Sequence, residues 1–288
     1  MARPFKFGIV VDQNMPWPDT LERFRYAESL GLDSAWVCDH YVQPSKPDYA
    51  GGYLEGWTLL AALAARTERI RLGVLVSSNT SRHPALLAKE AVTVDHVSNG
   101  RLDVGLGAGW YVPEHQMYGL DFPEPAGLVE RFGEAVEVVD RLLRQEVVTY
   151  AGTHYRLTDA IFRPAPIQRP RPPLTLGAHR PRMLAIVAKY ADRWNSFGTP
   201  DEIRQRNAVL DEQCAAVGRD PAAISRSLYG WASMMPRDPF ASVDGFAEMV
   251  DLYRAAGIDE FLIDLPAPAQ YPVLERIVRN LMPTLRGG

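Results

Sequence analysis

Residues 70–119 read IRLGVLVSSNTSRHPALLAKEAVTVDHVSNGRLDVGLGAGWYVPEHQMYG. An apolar run over 70–76 stops at the polar patch Ser77, Ser78, Asn79 and Thr80. Residues 84–97 carry a helical pattern, and Asn99 and Gly100 turn the chain into a second apolar run over 102–106. That run passes into Gly107, Ala108, Gly109 and Trp110. Two buried strands flanking a helix make a βαβ unit, and a crossover helix returns the chain so that the strands lie parallel. Both runs change at their C-terminal ends from apolar to small or polar residues. A parallel α/β fold gathers its ligand at those ends.

The same alternation extends in both directions. Upstream, an apolar strand over 5–11 ends at Asp12, and a helix capped by Asp19 stops at Gly31. A short strand over 34–37 ends in Cys38, Asp39 and His40, and a helix covers 54–65. Downstream, a helix is expected over 130–145, then a hairpin over 147–157 about Gly152. Residues 162–173 hold five prolines and predict an irregular surface connection. Strands over 174–177, 192–197, 225–234 and 260–265 then alternate with helices over 181–190, 200–217, 243–256 and 271–281. Eight strand–helix alternations in 288 residues predict a (β/α)8 TIM barrel. It is read as one domain over 1–288, with an insertion at about 147–173, after the fourth helix.

Composition narrows the functional classes. Apolar residues make up 47% and charged residues 23%, which is ordinary for a globular chain. With 31 basic and 35 acidic side chains the net charge is −4, giving no general attraction for nucleic acid or an acidic membrane. No apolar run approaches the roughly 20 residues of a membrane span. Only Cys38 and Cys214 are present, and the first residues read as a strand rather than a signal peptide, so a cytoplasmic protein is expected.

The expected strand ends carry Asp39 and His40, Ser77 to Thr80, Gly107 to Trp110, Gly177 to His179, Trp194, Trp231 and Asp264. One imidazole among amides, hydroxyls, glycines and indoles suits a large flat ligand with a few hydrogen-bonding edges. His40 is the candidate acid or base, and its other reading is a capping or core histidine. The glycines do not form a dinucleotide fingerprint: Trp110 stands at the third glycine position, and no helix is expected to open directly after it. The six histidines form no His-x-His or His-x3-His pair, so no metal site is expected. Cys38, Asp39 and His40 are consecutive on a strand and cannot converge as a nucleophilic triad. Between Asp159 and Asp192 there is no acid, while Arg163, Arg169, Arg171, Arg180, Arg182 and Lys189 fall in that interval. With the turn Gly177-Ala178-His179 entering a helix, this reads as a phosphate site; the plainer reading is a solvated basic loop.

These residues together resemble the luciferase-like monooxygenase superfamily, and within it the branch using the deazaflavin coenzyme F-420. The carrying segments are residues 37–40, 72–87, 98–110, 190–195 and 257–261. The resemblance implies an oxidoreductase that moves hydride between F-420 and a small organic substrate, working as a homodimer. It implies a non-prolyl cis peptide at Ser77–Ser78 behind the ring, with Asp39 and His40 on its reactive side. Ser77, Ser78, Asn79, Thr80, Gly107, Ala108, Gly109 and Trp110 would line the cofactor, and Gly177, Ala178 and His179 would hold its phosphate. Where some relatives keep a glutamate just after the strand-four glycines, this chain has Trp110, and Glu114 and His115 are the reserve acids. The alternatives are a flavin mononucleotide (FMN) monooxygenase of the same fold, a flavin-binding relative without catalysis, and a metal-dependent barrel hydrolase.

Overall fold

The computed structural model describes residues 4–45, 48–231 and 234–287. In chain order the strands are β1 (Lys6–Val10), β2 (Ser34–Val37), β3 (Arg71–Val74), β4 (Ser77–Ser78), β5 (Leu102–Gly107), β6 (Val147–Ala151), β7 (Arg156–Ile161), β8 (Leu174–Gly177), β9 (Arg193–Ser196), β10 (Ser225–Gly230) and β11 (Glu260–Asp264). The helices are α1 (Trp17–Ser29), α2 (Gly56–Ala64), α3 (Pro84–Val97), α4 (Val112–Tyr118), α5 (Pro125–Arg144), α6 (Pro181–Tyr190), α7 (Pro200–Ala216), α8 (Val243–Ala255), α9 (Tyr271–Arg276) and α10 (Met282–Gly287). The main sheet runs β3-β2-β1-β11-β10-β9-β8-β5-β4, and β3 also pairs with β5, so it closes. With β4 continuing β3 past a bulge, this is a closed parallel barrel of eight staves ringed by helices.

Two apolar layers divide the barrel. The outer one, between strands and helices, holds most of the core, including Phe7, Phe24, Phe132, Trp194 and Phe246. The inner one is small: Trp36, Val10, Leu75 and Leu262, with Cys38, Val76 and Tyr229 partly buried against them. Beneath Trp36 the barrel is closed by ions. Asp103 takes two bonds from Arg71 at 3.0 and 2.8 Å, and Arg193 pairs with Glu260 and donates to Thr175 Oγ1 at 2.8 Å. The Arg193 guanidinium lies 5.5 Å from the Trp36 ring, so a cation caps the indole layer. Cys38, Val76 and Tyr229 are therefore the top of the filling, at the C-terminal mouth.

Long side chains tie loops to staves. Arg101 donates to the carbonyls of Ala64, Thr67, Ile70 and Ser98, closing the C-terminal turn of α2 against the start of β5. Glu134 of α5 accepts from the N–H groups of Thr153, His154 and Tyr155, which fixes the tip of the β6–β7 hairpin. That hairpin pairs only with itself.

Most expected elements lie within a few residues of their expected ends, with three differences. A helix does open directly after the strand-five glycines, at Val112, with Pro113 favouring its first turn. The non-prolyl cis peptide joins Leu75 and Val76, two residues before the expected Ser77–Ser78 bond. Three of the six basic side chains of the interval are paired with acids of the fold: Arg171 is buried against Asp140, Asp192 and the Tyr190 carbonyl, while Arg163 pairs with Glu146 and Arg182 with Glu130 at the surface. Those acids come from outside the interval or its very edge, which a count along the chain does not see. The last part of the expected strand over 225–234 includes residues outside the described set.

Candidate active site

The mouth is built on small residues. A Cβ on Gly107 would meet Val76 Cγ2 at 2.7 Å, and one on Gly177 would meet the same atom at 3.0 Å. The bulge between β3 and β4 thus lays Val76 over two glycines of neighbouring staves, forming a low apolar floor. Gly109 has φ +92°, and a Cβ there would stand 2.4 Å from Thr80 Oγ1 and 2.8 Å from Ser78 Oγ. Both the backbone conformation and the contact require glycine.

Hydrogen bonds fix the rim beside this floor. Asn79 donates its backbone N–H to the Gly107 carbonyl at 2.9 Å. Its Oδ1 accepts from the Tyr155 hydroxyl at 3.2 Å, and that hydroxyl accepts from Arg131 Nε at 2.8 Å. Asn79 is 3% exposed and its Nδ2 has no partner, so a buried donor is left for a ligand. Thr80 Oγ1 lies 2.6 Å from His115 Nε2 and 2.8 Å from Ser78 Oγ, while His115 Nδ1 lies 2.9 Å from the Tyr111 carbonyl. A carbonyl can only accept, so His115 Nδ1 carries a proton; with the ring in its neutral form, Thr80 donates to Nε2 and Ser78 donates to Thr80. Ser77 turns away from the mouth and accepts from Trp57 Nε1 at 2.8 Å.

Asp39 and His40 leave β2 with different partners. Asp39 is buried, and its Oδ2 accepts from the Ser78 N–H at 2.8 Å and from Arg82 at 2.5 Å. Arg82 also meets Glu55 at 3.0 Å and Glu90 at 3.5 Å. Asp39 therefore ties the end of β2 to β4, and its Oδ1 is buried without a partner. His40 Nδ1 lies 3.3 Å from Glu114 Oε2, and Glu114 Oε1 accepts from the N–H groups of Tyr41 at 2.5 Å and Val42 at 3.1 Å. Burial pushes the Glu114 carboxyl up, but His40 and the two backbone donors outweigh it and hold it below the usual carboxylate range. With Nδ1 engaged, Nε2 is the His40 nitrogen left for chemistry. Trp110, 59% exposed, and Tyr111 stand edge-on to the His40 ring at 5.7 and 5.9 Å.

On the β8 side, Ala178 is packed at 1% exposure, while Gly177 and His179 keep some accessible surface. His179 Nδ1 lies 2.9 Å from Ser196 Oγ, and its ring packs on Phe197. Burial first, then Arg206 and Arg180, bring its pKa down to about 4. It is a neutral donor or acceptor at physiological pH. Trp194 is fully buried and donates to the Ala178 carbonyl at 2.9 Å, so it braces the turn from behind. Among the described residues no group of three or more His, Cys, Asp or Glu is arranged to hold a metal, and no helix is long and apolar enough to cross a membrane.

Reading the chain alone omits Val76, Arg82 and Tyr155 from the site. Arg82 is recognisable afterwards as a cation next to a helix start. Tyr155 is not, because it arrives from the insertion and only the folded chain brings it to Asn79.

The chain belongs to the luciferase-like monooxygenase family, whose model matches residues 3–257. It is 34% identical over 231 residues to a phthiodiolone/phenolphthiodiolone dimycocerosates ketoreductase of Mycobacterium sp. (strain JLS), covering 73% of this chain and 60% of that protein. It is 32% identical over 227 residues to an F420-dependent glucose-6-phosphate dehydrogenase of Microbacterium testaceum (strain StLB037), covering 76% and 65%. The match thus spans less than two thirds of either curated relative. Among solved structures it resembles an F420-dependent secondary alcohol dehydrogenase in complex with an F420-acetone adduct, with TM-score 0.86, 18% identity and coverage of 99% and 100%.

Proposed function

We propose that this chain is an F-420-dependent oxidoreductase that transfers hydride between the deazaflavin and a small organic substrate. The observation that carries the reading is the His40–Glu114 pair beside a floor of Val76, Gly107 and Gly177. The residues present fit the cofactor: the floor is flat and apolar, and Asn79 Nδ2 and Asp39 Oδ1 are buried polar atoms with no partner. When bound, the deazaflavin supplies a carbon centre that gives or takes hydride and reacts poorly with oxygen.

The chain's own groups do the rest. Val76, Gly107, Ala108 and Gly109 support the ring, and the Ser78–Thr80 segment offers polar contacts along its edge. Gly177 and His179, with the turn into α6, receive the phosphate as hydrogen-bond donors; Arg180 and Arg206 supply the nearby positive charge. Asp39 holds β4 in register with β2 and keeps one oxygen for the ligand. His40 exchanges a proton with the substrate oxygen or nitrogen through Nε2, and Glu114 fixes its ring. Trp110 and Tyr111 keep water from the His40 side. The two free cysteines suit a reducing cytoplasm, and the family resemblance supports a homodimer, which light scattering tests.

Calorimetry of the purified protein against F-420 and FMN tests the reading. Tighter binding of F-420, with no oxygen uptake by the loaded enzyme, is expected. Tighter binding of FMN, or oxygen consumption with substrate, would transfer the chain to the monooxygenase class.

A further inference from the structure

One buried imidazole takes no part in the function proposed above. His115 is 2% exposed and lies on α4, one residue after the carboxylate that holds His40. Its Nδ1 lies 2.9 Å from the Tyr111 carbonyl and its Nε2 2.6 Å from Thr80 Oγ1. Thr80 Oγ1 is in turn 2.8 Å from Ser78 Oγ. Thr80 is buried, whereas Ser78 keeps accessible surface. The Ser78 hydroxyl stands at the mouth, 2.8 Å from where a Cβ on Gly109 would lie. An unbroken line of hydrogen bonds therefore runs from a buried imidazole, through a buried hydroxyl, to a hydroxyl at the mouth.

The line has two directions. Nδ1 faces a carbonyl and keeps its proton in both, so only Nε2 changes. With Nε2 bare, Thr80 donates to it, Ser78 donates to Thr80, and Ser78 offers the mouth only lone pairs. With Nε2 protonated, Nε2 donates to Thr80, Thr80 donates to Ser78, and the Ser78 proton points into the mouth. The two arrangements differ by one proton passed along the line. No charged partner locks the ring in either form. Phe122 meets it edge-on at 4.8 Å. Glu114 is committed to His40, Tyr41 and Val42, the Tyr111 hydroxyl to Tyr49, and Asp39, beside Ser78, to Arg82. Among the described residues no acid or base bonds to the His115 ring.

We infer that His115, Thr80 and Ser78 form a proton relay that serves a nitrogen or oxygen of the bound ring, while His40 serves the substrate. The inference rests on the function proposed above and assigns its second proton. Hydride transfer from an alcohol sends two electrons and one hydrogen to the ring and releases the hydroxyl proton to His40. A second proton neutralises the charge that the ring has gained, and His115 supplies it. The Nε2–H, Thr80 O–H and Ser78 O–H bonds break; new O–H bonds form on Thr80 and Ser78, and the last proton goes to the ring atom. No electrons move with these protons. Reduction of a ketone runs the line backwards and leaves the proton on Nε2. A histidine that merely pins α4 to the end of β4 would not respond to the ring.

Long-range proton–nitrogen NMR of the full chain, labelled with 15N-histidine, tests this without a substrate. The His115 signals are assigned by their loss in His115→Gln. They are followed from pH 6 to 9 in the complex with oxidised F-420 and in the complex with chemically reduced F-420. The His115 Nε2 titration curve should be displaced between the two complexes, with Nδ1 remaining N–H throughout. Thr80→Val and Ser78→Ala each cut the line and should bring the two curves together. Ser78→Ala removes one accessible hydroxyl, so it keeps the test valid if Thr80→Val folds poorly. Superimposed curves in the wild type overturn the inference. So does a displacement that survives the cut, because charge on the ring acting through space would explain it. Absorbance titration of the same samples reports on the function separately. Binding of FMN and not F-420 would overturn the proposed function alone, and the relay is then judged by the same comparison with FMN and its reduced form.

Discussion

Glu114 reaches back from α4 to hold His40, with Oε2 3.3 Å from Nδ1 and Oε1 on the next two backbone N–H groups. One carboxylate thus sets both an imidazole and the loop that carries it. The carboxylate is ionised at neutral pH, since its pKa is lowered.

Glu114→Gln keeps an acceptor for Tyr41 and Val42, whereas Glu114→Ala leaves both N–H groups without one. Hydrogen exchange at Tyr41 and Val42 should therefore accelerate strongly in the alanine variant and little in the glutamine variant. Turnover, once a substrate is found, should fall in both, because the charge that steadies a protonated His40 is gone from each. Truncation adds a structural loss of about 1–3 kcal/mol for the orphaned donors. Equal exchange in the two variants would mean that Glu114 is not what holds the loop.

Two groups impose opposite pH dependences on stability. His179 is brought down to about 4 from its ordinary 6.5, chiefly by burial. The unfolded chain then binds the proton more readily, so stability is lost as pH falls from 6.5 toward 4, by at most about 3 kcal/mol. Glu90 is pushed up to about 7 from 4.5, again by burial, which outweighs its attraction to Arg82. The folded chain holds that proton more tightly, so stability is lost as pH rises from 4.5 to about 7. Urea unfolding across pH 4–8 separates them by difference. The advantage of wild type over His179→Gln should shrink as pH falls, and its advantage over Glu90→Gln should shrink as pH rises. A flat difference curve for either variant removes the corresponding assignment.

What was legible in the sequence follows from what acts locally. Strands with apolar runs and helices with clear start and stop residues announce the barrel, because the period of the pattern is the period of the element. Gly107 and Gly109 entered the expected cofactor site only through the family resemblance, and nothing local in the sequence says that Val76 packs over Gly107 or that Thr80 packs against Gly109. His40 was legible as a strand-end imidazole. Its partner was only a reserve, because Glu114 lies 74 residues away and the helix carrying it was not expected. Nor does a count along the basic interval show that Arg171 is committed to Asp140 across the fold, 31 residues distant in sequence. Long-range ion pairs leave no periodic trace.

Gly109 offers the most discriminating test of the mouth. Its φ of +92° disfavours any Cβ, at roughly 1–2 kcal/mol. The contact is a second and separable term, since the atoms a Cβ would meet, at 2.4 and 2.8 Å, belong to the side chains of Thr80 and Ser78. Gly109→Ala should therefore lower stability by more than the backbone term, and should weaken F-420 binding by displacing Thr80 and, through it, the Ser78 hydroxyl. Thr80→Ala alone leaves His115 Nε2 without its donor and should cost about 1–3 kcal/mol. The double variant Thr80→Ala with Gly109→Ala removes the closest clash and keeps the backbone strain. Its loss should be smaller than the sum of the two single losses, a favourable coupling of about 1–2 kcal/mol in a denaturation cycle. Gly119→Ala is the control, with φ +66° and nothing within 4 Å of its Cβ, so it reports backbone strain alone. If Gly109→Ala costs no more than Gly119→Ala and the cycle is additive, the packing of Thr80 and Ser78 against Gly109 does not shape this site.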